Sequence, residues 1–256
     1  LGAPLLGWRN VFLLSSASAG IALVVRTHMP ESRLWTAQHE ERLSPTQALT
    51  TLTRKGLLPA MAKGWVLGVL KLGTYWTCYT WFPKFLQTEL HQPVGRSALW
   101  ILTAQVGQLL GMLVFGFVAD RWGRRVGYTV YSLVTAAALW PLAFRGLEML
   151  RTPWLFWTDL FVLGLGSGCT AGFGALLAEL FPTEVRNFAM GTTYNCARGV
   201  QFFAPILVGA VAARHGLGGA LTVPLVLALA TGTWIWTLPE TRKRDLATVA
   251  KAVSPA

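Results

Sequence analysis

The ten residues from Gly116 to Arg125, GFVADRWGRR, carry four charges and sit between two long uncharged stretches, 97–118 and 126–144. Each stretch is about as long as the roughly 20 helical residues that cross a hydrocarbon core. A tight, charged turn between two such runs is rare in a soluble protein. It places a helical hairpin in a membrane with the turn at one edge.

The rest of the chain agrees. It is 53% hydrophobic and 13% charged, with a mean hydropathy of +0.47, whereas soluble domains carry about 25% charged residues. Seven apolar stretches are membrane-length or nearly so: 10–25, 64–82, 97–118, 126–144, 154–178, 188–213 and 217–238. The expected fold class is an all-α membrane protein with seven transmembrane helices. The first stretch is the shortest.

A net charge of +11 and a pI near 10.2 would suit nucleic acid, but the placement of the basic residues points elsewhere. Lys and Arg number six, three, one and four in the connections 26–63, 119–125 and 179–187 and in the tail from Pro239; the opposite connections hold one, two, two and one. Fourteen against six is the positive-inside asymmetry, which sets the N-terminus outside and the C-terminus in the cytoplasm. The run Arg242-Lys243-Arg244 reads as a stop-transfer flank, and no nucleic-acid partner is expected.

Cys78, Cys169 and Cys196 each fall within a span, and His28, His39, His91 and His215 fall in or near connections. None has metal-ligand spacing, so no metal and no cofactor is expected. The chain starts at Leu1, with no basic segment and cleavage site around its first apolar stretch. A truncated sequence is expected.

The pattern G-x-x-x-D-R-x-G-R-R resembles the signature cytoplasmic loop of the major facilitator superfamily. The resemblance implies that Gly116 lets two helices approach closely, that Asp120 faces the positive start of the next helix, and that the arginines reach neighbouring helix ends. Gly7-Trp8-Arg9 and Pro30-Glu31-Ser32-Arg33 resemble the ending of helix six in sugar and organic-acid porters, and Pro239-Glu240-Thr241 the ending of helix twelve. The stretch 172–209, containing ELFPTEVRNFAMG, resembles helices ten to eleven of proton-coupled metabolite symporters for sialate, aromatic acids or muconate. Parity then makes the first span helix six of twelve. Expected domains are residues 1–29, the last helix of an N-terminal half; 30–63, a cytoplasmic linker containing a short surface helix; 64–238, a C-terminal six-helix bundle; and 239–256, a cytoplasmic tail. Implied partners are a small-molecule substrate, protons, the bilayer and the missing N-terminal half.

Function rests on ionisable residues at membrane depth, which are costly and usually line a polar cavity. Three fall within spans: Lys71, Asp159 and Arg198. Arg198 is ten residues into its span, about 15 Å from the entry, near the midplane where facilitator substrates bind. Tyr194 and Asn195 share its face, and the three suit a carboxylate; the alternative is a salt bridge to Asp159 or to the missing half. Lys71, Tyr75 and Tyr79 form an i, i+4, i+8 stripe that is either a binding wall or helix packing, with Trp76 and Trp81 on other faces. Asp159, five residues from the outer end, is a coupling candidate, though its depth favours a solvated position.

By resemblance, Gly116, Asp120, Arg121, Gly123, Arg124 and Arg125 join Glu179, Glu184 and Arg186 in a gating network that latches the outward-open state. Glycines at 164, 168 and 172, and at 107 and 111, mark faces for close helix packing; Gly166, Gly168 and Gly174 alternatively loosen a bending helix. The expected function is proton-coupled symport of a small organic anion by alternating access. The alternatives are a sugar or drug porter of the same superfamily, or a heptahelical receptor, although the last span lacks a Schiff-base lysine. A membrane enzyme would need a nucleophile, a base or metal ligands at working spacing, and the sequence has no H-E-x-x-H or G-x-S-x-G arrangement.

Overall fold

A computed structural model describes residues 3–28 and 43–242. The motif at Pro30–Arg33, most of the linker's charges, and Lys243, Arg244 and Lys251 lie outside them. The described residues are mostly helical, without strands, and divide into two units, Leu1–Ser44 and Pro45–Ala256. The first unit contains helix α1, Ala3–His28, whose last turn carries Arg26, a cation that complements the helix dipole.

The second unit is a bundle. It comprises α2 (Pro45–Arg54), α3 (Leu58–Thr88), α4 (Val94–Trp122), α5 (Arg124–Met149), α6 (Pro153–Ser167), α7 (Gly172–Leu180), α8 (Thr183–Val200), α9 (Ala204–Ala220) and α10 (Thr222–Trp234). Proline starts many of these helices because its missing N–H costs nothing in the first turn: Pro45 opens α2, Pro153 opens α6, Pro205 opens the first turn of α9, and Pro93 and Pro182 precede α4 and α8. The short helix α2 buries Ala48 and Leu52 and leaves its other face exposed.

Four helical stretches are long and apolar enough to cross a membrane: Val94–Trp122, Arg124–Gly146, Pro153–Leu180 and Thr183–Ala220. The expected 64–82 span lies inside the 31-residue α3, where Lys63, Lys71, Thr74, Thr77 and Thr80 lower the hydropathy. The expected boundary between the last two spans coincides with Gly216, which takes φ 73°, ψ 174° within α9 and breaks it.

Packing follows the glycine spacing. A methyl group on Gly164 would lie 1.9 Å from the Ala104 carbonyl oxygen, and one on Gly107 would lie 2.2 Å from that of Phe161. Helices α4 and α6 therefore touch backbone to backbone, as the paired four-residue glycine repeats require. Gly168 opens a 3-10 turn, Gly168–Ala171, that interrupts the α6–α7 span; a second, Gln201–Phe203, interrupts α8–α9. Gly174 faces open space.

Two apolar cores fill the bundle. One gathers Leu67, Phe115, Tyr128, Leu176, Phe181 and Leu238, and the other Phe85, Trp100, Leu139, Phe156, Leu160 and Leu221. At mid-height, buried polar side chains replace them: Lys71, Thr74, Gln108, Thr135, Ser167 and Thr193. Polar side chains thus gather near the middle of an otherwise apolar bundle.

Candidate functional site

The charged turn forms a compact cluster at one end of the bundle. Gly123 adopts φ 103°, ψ 160°, a conformation open essentially to glycine alone, and starts α5. The first α5 amides, Arg124 N–H and Arg125 N–H, donate to the two carboxylate oxygens of Glu240 at 2.9 and 3.1 Å. A methyl group at position 123 would sit 2.7 Å from that carboxylate, so glycine is required both by the backbone angle and by the space.

Burial pushes the Glu240 carboxyl up, but backbone donors from Arg124, Arg125, Arg242 and Thr241 outweigh it and hold the group below the usual glutamate range. Glu240 therefore occupies the role expected of Asp120. Asp120 is itself largely exposed and bonds the Arg124 side chain at 2.5 Å. Arg124 also grips Glu179 with two parallel bonds, Nη2 to Oε1 at 2.7 Å and Nε to Oε2 at 3.2 Å, the strong bidentate form. Thr241 Oγ1 donates to Glu179 at 2.5 Å, Arg125 Nε donates to the Leu238 carbonyl at 2.8 Å, and Arg242 Nε donates to the Asp120 carbonyl at 3.1 Å.

Several expectations for this turn need correction. Gly116 makes no close helix contact, since a methyl group there would meet nothing within 4 Å. Arg121 is exposed, with no ion pair among the described residues. Glu184 pairs with Lys55, and Arg186 donates to the Phe181 carbonyl at 3.1 Å, so neither joins the cluster. Glu240 and Thr241 were legible only as a sequence ending; the signal for them was the acidic residue just past the last apolar run, beside a glycine-started helix.

The membrane-depth residues behave differently. Lys71 is buried, at 5% exposure, with no hydrogen bond or ion pair among the described residues. Tyr75 and Tyr79 stack at 4.7 Å, and Tyr79 Oη reaches Ser167 Oγ at 3.5 Å. Tyr75 also meets Trp76 edge-on at 5.8 Å. Trp76, expected on another face, lies beneath the Arg198 guanidinium at 5.9 Å, within cation–π range. The α3 stripe and the α8 cluster thus meet through Trp76.

Arg198, Tyr194 and Asn195 are all exposed on the bundle surface. Tyr194 packs beside Phe173 at 6.1 Å, and Asn195 Nδ2 donates to the Gly191 carbonyl at 2.8 Å. Arg198 forms no ion pair with Asp159 or any other described carboxylate. Asp159, expected to be solvated, is half-buried, and its Oδ2 is enclosed without a hydrogen-bond partner.

One residue that the charge inventory missed is Gln201, whose amide bridges the Val69 and Ala197 carbonyls at 3.1 Å each and pins the 3-10 break to α3. Its signal was a lone glutamine inside an apolar run. Beside it lies a cavity of about 200 Å³ lined by Trp76, Thr77, Thr80, Trp81, Gln201 and Pro205. A larger groove of about 670 Å³ between α3 and α8 is almost wholly apolar, which suits hydrocarbon contact better than an anion.

The profile of the Major Facilitator Superfamily matches residues 86–255. Among characterised proteins, the chain is 32% identical to the inner membrane metabolite transport protein YhjE of Escherichia coli, over 94% of this chain and 56% of that protein. It is 28% identical to the cis,cis-muconate transport protein of Acinetobacter baylyi, over 83% and 52%, and 26% identical to the sialic acid transporter NanX of Escherichia coli, over 88% and 54%. The chain spans about half the length of these relatives. They are transporters and not enzymes, and with the apolar helices they mark an integral, multi-pass membrane protein. The chain belongs to the Major Facilitator Superfamily.

Proposed function

We propose that this chain is the C-terminal part of a secondary transporter, helices six to twelve, which carries a small organic anion in symport with protons by alternating access. Residues 1–29 are then the last helix of the N-terminal half, 30–63 the cytoplasmic linker, 64–238 the six-helix bundle with six spans, and 239–256 the cytoplasmic tail. Arg198 binds the substrate carboxylate, assisted by Tyr194 and Asn195, while Lys71, Tyr75 and Tyr79 form the wall behind it. Asp159, whose enclosed oxygen lacks a partner, is the coupling candidate. The cluster around Arg124 and Glu179 sets the conformational balance at the cytoplasmic end.

The observation that carries this reading is the state of Arg198. A guanidinium at mid-span, exposed on the bundle face and free of any described carboxylate, needs an anionic partner from outside the bundle. The names of the muconate and sialic acid relatives support a carboxylate. Uptake of cis,cis-muconate and of sialic acid into vesicles holding the intact transporter tests it, with Arg198→Ala as the control. Saturable, gradient-driven uptake of either acid that disappears in the variant is expected; unchanged uptake by the variant would remove Arg198 from the site. Orientation is tested separately by cysteine labelling, with position 54 expected to react from the cytoplasm and positions 91 and 151 from outside.

A further inference from the structure

The end of the bundle away from the charge cluster carries a second clamp of the same design. Gly216 has φ 73°, ψ 174°, the same glycine-only region as Gly123 at φ 103°, ψ 160°. The two amides that follow it, Leu217 N–H and Gly218 N–H, donate to the two carboxylate oxygens of Glu89, the second at 2.8 Å. A methyl group at 216 would lie 2.8 Å from Glu89 Oε1, and one at 218 would lie 3.2 Å from Oε2. The local sequences correspond as well: Gly116-Phe-Val-Ala-Asp-Arg-Trp-Gly123 is matched by Gly209-Ala-Val-Ala-Ala-Arg-His-Gly216. Arg214 matches Arg121, while Ala213, Leu217 and Gly218 stand where the charged turn has Asp120, Arg124 and Arg125; the carboxylate grip on two successive amides remains.

We infer that Glu89 is a gating residue, which works as a latch at this end as the Glu240 and Glu179 cluster does at the other. Its position supports this. Glu89 caps the end of α3, six residues beyond Pro83, where the proline removes an internal hydrogen bond and makes α3 able to bend. Whatever moves the end of α3 away from the Gly216 corner must first withdraw the carboxylate from two amides at a helix start, where anions are held most firmly. Both clamps are closed in this structure. The inference rests on the alternating-access reading, in which opening one end disfavours opening the other.

Linkage makes the latch testable without a substrate. If the clamps belong to two alternative open states, weakening one populates the state in which it is open and the other shut, and the effect is reciprocal. Deuterium exchange is measured on the intact transporter and on Glu89→Gln and Glu179→Gln variants. Glu89→Gln should raise exchange at Leu217 and Gly218 at least threefold and lower it at Arg124 and Arg125. Glu179→Gln, which leaves Glu89 untouched, should lower exchange at Leu217 and Gly218 by a similar factor. Purely local effects, with no change at the opposite end, would make Glu89 a static helix cap and overturn the inference. If Glu89→Gln does not fold, Gly218→Ala crowds the same carboxylate more gently, and the Glu179→Gln arm decides by itself. Absence of uptake by the wild-type vesicles, with the reciprocal exchange present, would count against the transport reading and leave the latch standing.

Discussion

The charged end of the bundle and its middle use the same residue types in opposite ways. At the end, Arg124 is held by Asp120 and Glu179, and the Glu240 carboxylate is surrounded by backbone donors. Within the spans, Lys71 and Arg198, and Asp159 nearer the outer end, have no ion-pair partner among the described residues, although charges are costlier there. The charges of this cluster satisfy one another, although Arg186 nearby keeps one buried guanidinium nitrogen without a partner among the described residues. On the proposed function, those left unpaired within the spans are the ones that meet a ligand, and that contrast would separate a structural network from a binding site.

The largest effect should come from the middle. Arg198→Ala in the intact transporter should abolish uptake of the anionic substrate while insertion is preserved, since removing a mid-membrane charge makes a span easier to insert. Arg198→Lys retains the charge but loses the planar fork, and binding should weaken by about 1.5–3 kcal/mol, the order for a hydrogen bond to a charged group. Equilibrium binding separates this from folding. If the alanine variant were degraded and then rescued by neutralising a carboxylate elsewhere in the protein, Arg198 would be a structural partner and the contrast between the two regions would fail.

At the charged end the loss should appear in stability instead. Glu179→Ala leaves Arg124, only 16% exposed, without its bidentate partner, and should cost about 3 kcal/mol, the lower end of the range for breaking a buried pair. Thermal unfolding in detergent reads it. Substrate affinity in the folded fraction should stay within a few-fold, and a large loss of affinity would merge the two regions.

Much of this division was legible in the residues. The turn at Gly123, the helix break near Gly216 and the close glycine faces follow from local rules of backbone, period and length. What escaped depends on contacts between residues far apart in sequence. Glu240 meets the α5 amides across more than a hundred positions, and no local pattern says that it, and not Asp120, fills that role. That Trp76, off the Lys71 stripe of α3, lies beneath Arg198 is not visible in helical spacing within α3, because it depends on where the Arg198 side chain leans from α8. The mid-bundle polar band is likewise a property of several helices at one height. Spacing along one helix does not reveal it.

A smaller effect concerns pH at the charged end. The Glu240 carboxyl sits below its usual range, so its contribution is fully present above the unfolded glutamate value of about 4.3 and is lost as pH falls through the lower folded value. Stability should therefore decline on acidification below about pH 4.3, and Glu240→Gln should flatten that part of the profile. A variant with the same acid slope as the wild type would show that the amide donors do not favour the ionised form.

The smallest effect is expected at Asp120, the most prominent residue of the turn. Its side chain is 73% exposed and bonds Arg124 in an i, i+4 arrangement, a pairing worth about 0.3–0.5 kcal/mol when solvated. Arg124 keeps both bonds to Glu179 when Asp120 is neutralised, and Glu240 continues to hold the start of α5. Asp120→Asn should thus leave thermal stability within about 0.5 kcal/mol and substrate binding within a few-fold. Any loss should fall on the transport rate, because on the proposed function the turn lies at the membrane edge and its pairing is exchanged when the helix ends move. A complete loss of binding by a folded Asp120→Asn protein would put this end of the bundle in contact with the substrate site and remove the distinction between satisfied and waiting charges.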